Sequence, residues 1–281
     1  MKKEHFTYHW ATPIIMIMLI ATSCKKEPGI HFPSSHCNIL SIAGNFYAYD
    51  YDSIVFVYNA AGNPVSVIRD KPATGLASFH FRYDKFNRLT DYIRVYQPTS
   101  PEFETWHRYY YKNNQIVLDS IFQFGLLGDV PRPSPNAPNI FFRGFATFKY
   151  DHLGRISETV DSSGWGYGRL TRYYTYDNKG NLARIRYQTN IPGYHLDDKI
   201  ISGYDDKVNL HLTHPIWQFI DRMYSVNNPI KAEYYNKTGL PLAFGTNTNT
   251  SNSKILDPGE PLSEVLELGN YAYIRIGYSC K

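Results

Sequence analysis

His211 and His214, two imidazoles three residues apart, come nearest to a metal site in this sequence of 281 residues. No acidic residue or Cys stands at a companion spacing of the kind metal centres use, so neither metal nor cofactor is expected. The paired carboxylates Asp197-Asp198 and Asp205-Asp206 could bind calcium or exchange a proton. Adjacent residues on a strand point to opposite faces, however, and turn caps and solvated loops account for them better. Gly164-Trp165-Gly166-Tyr167-Gly168 has glycines but lacks the Lys-Ser/Thr of a phosphate loop, which leaves a flexible turn carrying an exposed Trp. Gly-x-Ser-x-Gly is absent, removing one hydrolase signature. No catalytic residue and no metal ligand is assigned, and the expectation is a protein that is not an enzyme.

Aromatic residues carry what functional signal remains. The chain holds 25 Tyr, 16 Phe and 4 Trp. Trp106, Trp165 and Trp217, with Tyr110 and Tyr174 from clustered tyrosines, are the candidate ligand-binding residues. Such rings offer an apolar body and a polar tip that could stack on sugars. The competing reading is that outward rings form cross-strand pairs that stiffen a wide sheet.

The elements that must position these rings are hairpins. In Phe148 to Thr159 an aromatic strand end leads into Asp151, two free positions, Gly154, and then Ile156 opening a return strand. This predicts a type I turn in which Asp bonds back to the backbone and Gly supplies the positive φ of a bulge. The pattern recurs around Tyr58-Asn59, Tyr83-Asp84, Tyr176-Asp177 and Tyr235-Asn236, with Asn87 standing at one Gly position. After Tyr111 the unit is shorter, and Asn113-Asn114 suits a two-residue type I′ turn. Tyr204-Asp205 starts the same way, but Val208 occupies the Gly position, so that turn must differ. Gly128 to Asn139, rich in Pro, reads as a long excursion, and Thr246 to Ser253 as a loop.

Ile216, Phe219, Ile220 and Met223 recur at helical spacing, with Pro215 in the first turn and Thr213 or His214 as entry, so one short helix is expected near 215–224, plugging one end of the sheet. Tyr271 to Tyr278 is a closing strand. The fold class expected is all-β: an antiparallel meander of a dozen or more strands that must curl, coil or split.

The first segment is an address. Lys2 and Lys3, an apolar run from Ile14 to Ala21 and small residues before Cys24 form a secretory signal over 1–23. The run would span roughly 12 Å as a helix against about 30 Å of hydrocarbon, too short to remain a span. Ala21-Thr22-Ser23-Cys24 resembles a bacterial lipobox, which implies acylation of Cys24, a tether over 24–36 and one β domain over 37–281. The charged residues Lys25-Lys26-Glu27 resemble export tags and suggest the outer membrane, on its periplasmic side or at the cell surface. An ordinary solvated tether explains them equally. Cys37 and Cys280 stand at opposite ends of the folded part in an oxidising compartment, where a disulfide is expected. The formal charge of +4 is small and its residues are interspersed, which argues against nucleic acid.

The Tyr-Asp-x-x-Gly units at Tyr150 and Tyr176 resemble YD repeats of the Rhs type. Together with the lipobox, the Tyr204-Asp205-Asp206-Lys207 stretch and the terminal Tyr-x-Cys, the layout resembles uncharacterised Gram-negative envelope lipoproteins carrying domains of unknown function. That family brings no enzymatic residues to transfer. Asp52-Ser53-Ile54 and Asp119-Ser120-Ile121 resemble the short O-glycan acceptor motif of some bacterial envelope proteins, though strand starts explain them equally. The expected function is a non-catalytic envelope scaffold that engages an unknown envelope protein, the alternative being a carbohydrate-binding surface lipoprotein.

Overall fold

The computed structural model describes residues 37–46, 51–73, 75–97, 99–127, 141–163, 168–193, 195–201, 203–222, 224–229, 232–245 and 271–280. The signal, Cys24, the tether, the excursion after Gly128 and the loop after Thr246 lie outside them.

Fifteen strands are formed among the described residues. In the first half they are β1 Cys37–Phe46, β2 Tyr51–Tyr58, β3 Pro64–Arg69, β4 Ser78–Tyr83, β5 Leu89–Val95, β6 Glu102–Lys112 and β7 Gln115–Leu126. The second half adds β8 Phe141–Tyr150, β9 Ile156–Ser163, β10 Arg169–Tyr176, β11 Leu182–Thr189, β12 Lys199–Ile200, β13 Tyr234–Tyr235, β14 Pro241–Phe244 and β15 Tyr271–Cys280. A 3-10 turn, Leu210–Thr213, runs into helix α1, Pro215–Ile220. All strands belong to one antiparallel sheet in the order β12 back to β1, then β15, β14 and β13, so the meander is open and the closing strand pairs beside the first. Both edges are strands of two residues, a length that offers little to a further strand.

Local chemistry explains the hairpins. The Oδ1 atoms of Asn59, Asp84, Asp151, Asp177 and Asn236 each accept backbone N–H groups two and four residues on, at 2.8–3.0 Å. Gly154 and Gly180 then take φ of 76° and 89°, and Asn87 takes 59° in the same place. Asn113 and Asn114 have φ of 49° and 63°, as a type I′ turn requires. The Asp205 unit departs as Val208 demands: Val208 bridges to Asn227, and Asp205 accepts from Lys207 N–H and Asn228 N–H instead of closing a hairpin.

Five repeats contribute two inward aromatics two residues apart, Phe56 and Tyr58, Phe81 and Tyr83, Tyr109 and Tyr111, Phe148 and Tyr150, and Tyr174 and Tyr176, and the two do different work. The second is a latch. The hydroxyls of Tyr58, Tyr83, Tyr111, Tyr150, Tyr176, Tyr204 and Tyr278 donate to the carbonyls of Ile39, Pro64, Leu89, Ile116, Ile156, Leu182 and Pro241, at 2.7–2.9 Å. Six of those carbonyls belong to the first or second residue of strands β3, β5, β7, β9, β11 and β14; in all of these but the β11 latch, whose donor Tyr204 lies outside any strand, the tyrosine stands toward the end of the neighbouring strand and ties it to that start. The first aromatic of each pair meets a crosspiece. Phe56 and Phe81 pack edge-on to Trp217, Tyr109 and Phe148 pack on Phe219, and Tyr174 packs edge-on to Tyr224.

That crosspiece imposes curvature. In a flat sheet β2 and β10 would lie about 38 Å apart, yet residues 217–224, half of them helical, span less than about 20 Å. The sheet therefore coils around the crosspiece, and its inner face becomes the main core, with Ile39, Ile54, Val67, Phe79, Tyr92, Ile185 and Trp217 all buried. The expected helix is present over Pro215–Ile220, and Ile216, Trp217 and Ile220 join the main core; Met223 lies outside the described residues. A second small cluster of Ile93, Val95, Phe103 and Trp106 sits on the opposite face of β5 and β6. Cys37 and Cys280 are joined by a disulfide that fastens β1 to β15.

Candidate functional site

The site that the fold builds lies at the turn ends of the hairpins, where α1 meets the latch tyrosines. A cavity of about 430 Å³ opens there. Tyr83, Tyr111, Tyr150 and Tyr176 form one wall, and Pro215, Ile216 and Phe219 form the other. Carboxamides gather with them from separate turns: Asn63, Asn87, Asn114 and Gln115 from the hairpins, and Gln218 from α1.

Charge at the mouth is spent internally. Arg88 pairs with Asp84 and lies over the Tyr111 ring at 4.6 Å; Arg155 pairs with Asp151 and lies over Tyr176 at 4.1 Å. Burial acts to raise the Asp151 carboxyl, but hydrogen bonds from the Arg155 and Leu153 backbone and the Arg155 guanidinium outweigh it and hold it below the usual carboxylate range. His214 caps α1, its Nδ1 accepting from Ile216 N–H at 3.4 Å, which leaves Nε2 to donate to Asn63 Oδ1 at 3.3 Å. Burial lowers this imidazole to about 4, so it is uncharged at neutral pH. The latch hydroxyls move the other way: burial pushes Tyr111 and Tyr204 up to about 12, and Tyr58, Tyr83, Tyr150, Tyr176 and Tyr278 higher still.

Tyr224 differs from the latch tyrosines. It lines the same cavity and is 8% exposed, and its hydroxyl is buried without a hydrogen-bond partner.

Beneath the cavity, ionisable groups are matched among themselves. Asp161 accepts from Arg222 at 2.7 Å and pairs with Arg172 as well. Its burial is outweighed by these two guanidiniums, which hold the carboxyl down. Arg222 takes φ of 52° to make this contact. His211, fully buried, places Nδ1 2.9 Å from Asn209 Oδ1 and Nε2 2.9 Å from Asp221 Oδ2, and Asn209 Nδ2 donates to Asn227 O. His107 Nδ1 meets Asp119 Oδ2 at 2.8 Å. Each of these groups braces the crosspiece or the strands it touches.

The structure disperses the residues singled out for sugar stacking. Trp106 and Trp217 are fully buried and Tyr174 is 7% exposed, so none of the three offers a face to an external ring. The physical reason is that both faces of this sheet carry apolar clusters. Trp106 is held in the second cluster, donating Nε1 to Asp91 at 2.7 Å between the guanidiniums of Arg82 and Arg108. Trp217 and Tyr174 belong to the main core. Tyr110 is 46% exposed on β6, apart from the others, and Trp165 lies outside the described residues.

His211 and His214 serve separate structures, and the described residues hold no group of three or more His, Cys, Asp or Glu able to bind a metal. Asp198 pairs with Arg184 and Asp206 with Lys207. Asp52 and Asp119 of the Asp-Ser-Ile motifs are buried within β2 and β7, where Asp52 pairs with Arg69 at 2.6 Å. The cavity residues were missed because they are turn residues from hairpins far apart in sequence. The one signal for them is the repeat itself, which sets equivalent Tyr, Arg and Asn side chains at the same end of neighbouring hairpins.

No family model matches the chain, and no curated protein matches it. Among solved structures, 53% of the chain is similar at 16% identity to 8% of the chain in a crystal structure of TcdB2-TccC3 without its hypervariable C-terminal region, with a TM-score of 0.29. For a TcdB2-TccC3-Cdc42 crystal structure the figures are 72% of this chain, 11% of that one, 13% identity and a TM-score of 0.31. A Photorhabdus luminescens Tc holotoxin pore is similar at 16% identity over 53% of this chain and 8% of that one, with a TM-score of 0.29. The present chain therefore corresponds to about a tenth or less of the length of each of these neighbours.

Proposed function

We propose that this protein is a non-catalytic scaffold of the Gram-negative cell envelope, held to the outer membrane by acylation at Cys24 and engaging another envelope protein. The observation that carries the reading is the series of seven tyrosine latches, which joins successive hairpins into one stiff surface. Internally paired carboxylates support it, since the buried Asp52, Asp91 and His211–Asp221 pair and the half-buried Asp161 are taken up by contacts that brace the sheet or crosspiece. Two-residue edge strands turn a partner away from strand addition and toward a sheet face. On β2 such a face presents Tyr51, Val55 and Val57, all exposed on alternate positions.

The test is cross-linking in intact envelopes with a photoreactive residue replacing Val55, in the wild-type background and with Cys24→Ser. A discrete cross-linked protein species that disappears with Cys24→Ser is expected. Absence of any discrete species, or one indifferent to Cys24, would overturn the reading.

A further inference from the structure

We propose, on the reading that Cys24 is the anchor, that the rim formed by the hairpin turns docks on an anionic phospholipid surface. Alternate connections of an antiparallel meander fall at one end. The turns joining β2–β3, β4–β5, β6–β7, β8–β9, β10–β11 and β13–β14 therefore share a rim. Adjacent turns touch there, Asn63 Nδ2 donating to Asn87 Oδ1 at 3.3 Å.

The chain enters the fold at this same rim. Ser41 is level with Val55, which sets Cys37 beside the turn that opens at Asn59, and the disulfide holds Cys280 there as well. The connection from Cys24 to Cys37 is residues 25–36, which even fully extended reach no more than about 45 Å. An anchor at Cys24 thus leads the turns, ahead of the far strand ends, to the lipid.

The chemistry of the rim suits such a surface. Lys85, Lys112, Lys179 and Lys237 are exposed at four separate turns. Arg88, Arg155 and Lys207 are neutralised by Asp84, Asp151 and Asp206, and the other carboxylates of these turns, Asp177 and Asp205, offset only part of the lysine charge. The net positive charge is spread around the rim, which fits a surface of many headgroups better than one compact anion. Phe86, 65% exposed at the tip of the β4–β5 turn, has the Lys85 ammonium 5.0 Å and the Arg88 guanidinium 5.3 Å from its ring centre. An exposed ring among cations seats at a headgroup boundary, the ring toward the acyl chains and the cations at the phosphates.

The experiment supplies the anchor chemically. The mature chain is coupled through its Cys24 thiol to a maleimide lipid in vesicles of phosphatidylcholine, with or without phosphatidylglycerol. An aromatic photoreactive residue replaces Phe86 or, at the far end of β2, Tyr51. In vesicles with phosphatidylglycerol, lipid cross-linking from position 86 should exceed that from position 51 about tenfold. That excess should vanish in phosphatidylcholine alone, at high salt, and when Lys85→Glu, Lys112→Glu, Lys179→Glu and Lys237→Glu are combined. Equal labelling from both positions, or an excess at 86 indifferent to phosphatidylglycerol or to the four substitutions, would overturn the proposal. Because the vesicle provides the anchor, neither outcome bears on acylation in the cell, which the Cys24→Ser comparison in envelopes tests separately.

Discussion

At the scale of single residues, two side chains in the cavity wall make opposite predictions about hydroxyl removal. Tyr150 donates to Ile116 O at 2.8 Å, so Tyr150→Phe should cost about 1 kcal/mol in urea unfolding. Tyr224→Phe should cost nothing, because its hydroxyl has no partner to lose. His214 supplies a prediction in pH. Its folded value of about 4 lies below the ordinary 6.5, so the unfolded chain binds the extra proton first as pH falls. Its contribution is whole above about pH 6.5 and is lost as pH drops toward 4, reaching the order of 2 kcal/mol near pH 4.5. His214→Asn keeps a cap acceptor and cannot be charged, so the variant should lose less stability than the wild type between pH 7 and pH 4.5. The Asx acceptors of the turns were legible in the sequence because their partners lie two and four residues away. The latches were not, since each tyrosine reaches a carbonyl 19 to 37 residues distant. Nor could alternation along β6 reveal that Trp106 is covered, because that depends on Arg82, Asp91 and Arg108 from both sides of the pair.

At the scale of elements, the repeat is a hairpin with a fixed turn and two inward rings. The turns follow from sequence wherever Gly or Asn stands at the fourth position, and Val208 rightly marks the place where the hairpin fails and the chain leaves the meander for the crosspiece. The join between β1 and β15 was legible only as a pair of cysteines; its close approach was not. A Cβ on Gly44 would lie 2.0 Å from Tyr273 O and 2.7 Å from Ile274 Cα, both backbone atoms that cannot step aside. Gly44→Ala should therefore destabilise by about 3 kcal/mol or more. Gly154→Ala meets nothing within 4 Å and should cost only the strain of its φ of 76°, about 1–2 kcal/mol. Thermal unfolding of both variants beside the wild type checks the contrast.

At the scale of the whole molecule, fifteen strands in meander order would behave as a row of neighbours, each hairpin depending on the next. Two features work against that independence. The disulfide joins the first strand to the last, closing a separation of 243 residues, and the crosspiece touches strands from β2 to β10 through Trp217, Phe219 and Tyr224. Strand number and all-β class were readable from repeat spacing. Curvature was not, because it is set by a segment whose aromatic contacts lie up to about 160 residues back along the chain. The account holds that this crosspiece makes the scaffold one cooperative body, and native-state hydrogen exchange across the strands tests it most directly. Amides from β2 through β11 should open with one common free energy, and Phe219→Ala should lower that value throughout. A graded series of opening energies from hairpin to hairpin, or a loss in Phe219→Ala confined to β6 and β8, would contradict the account.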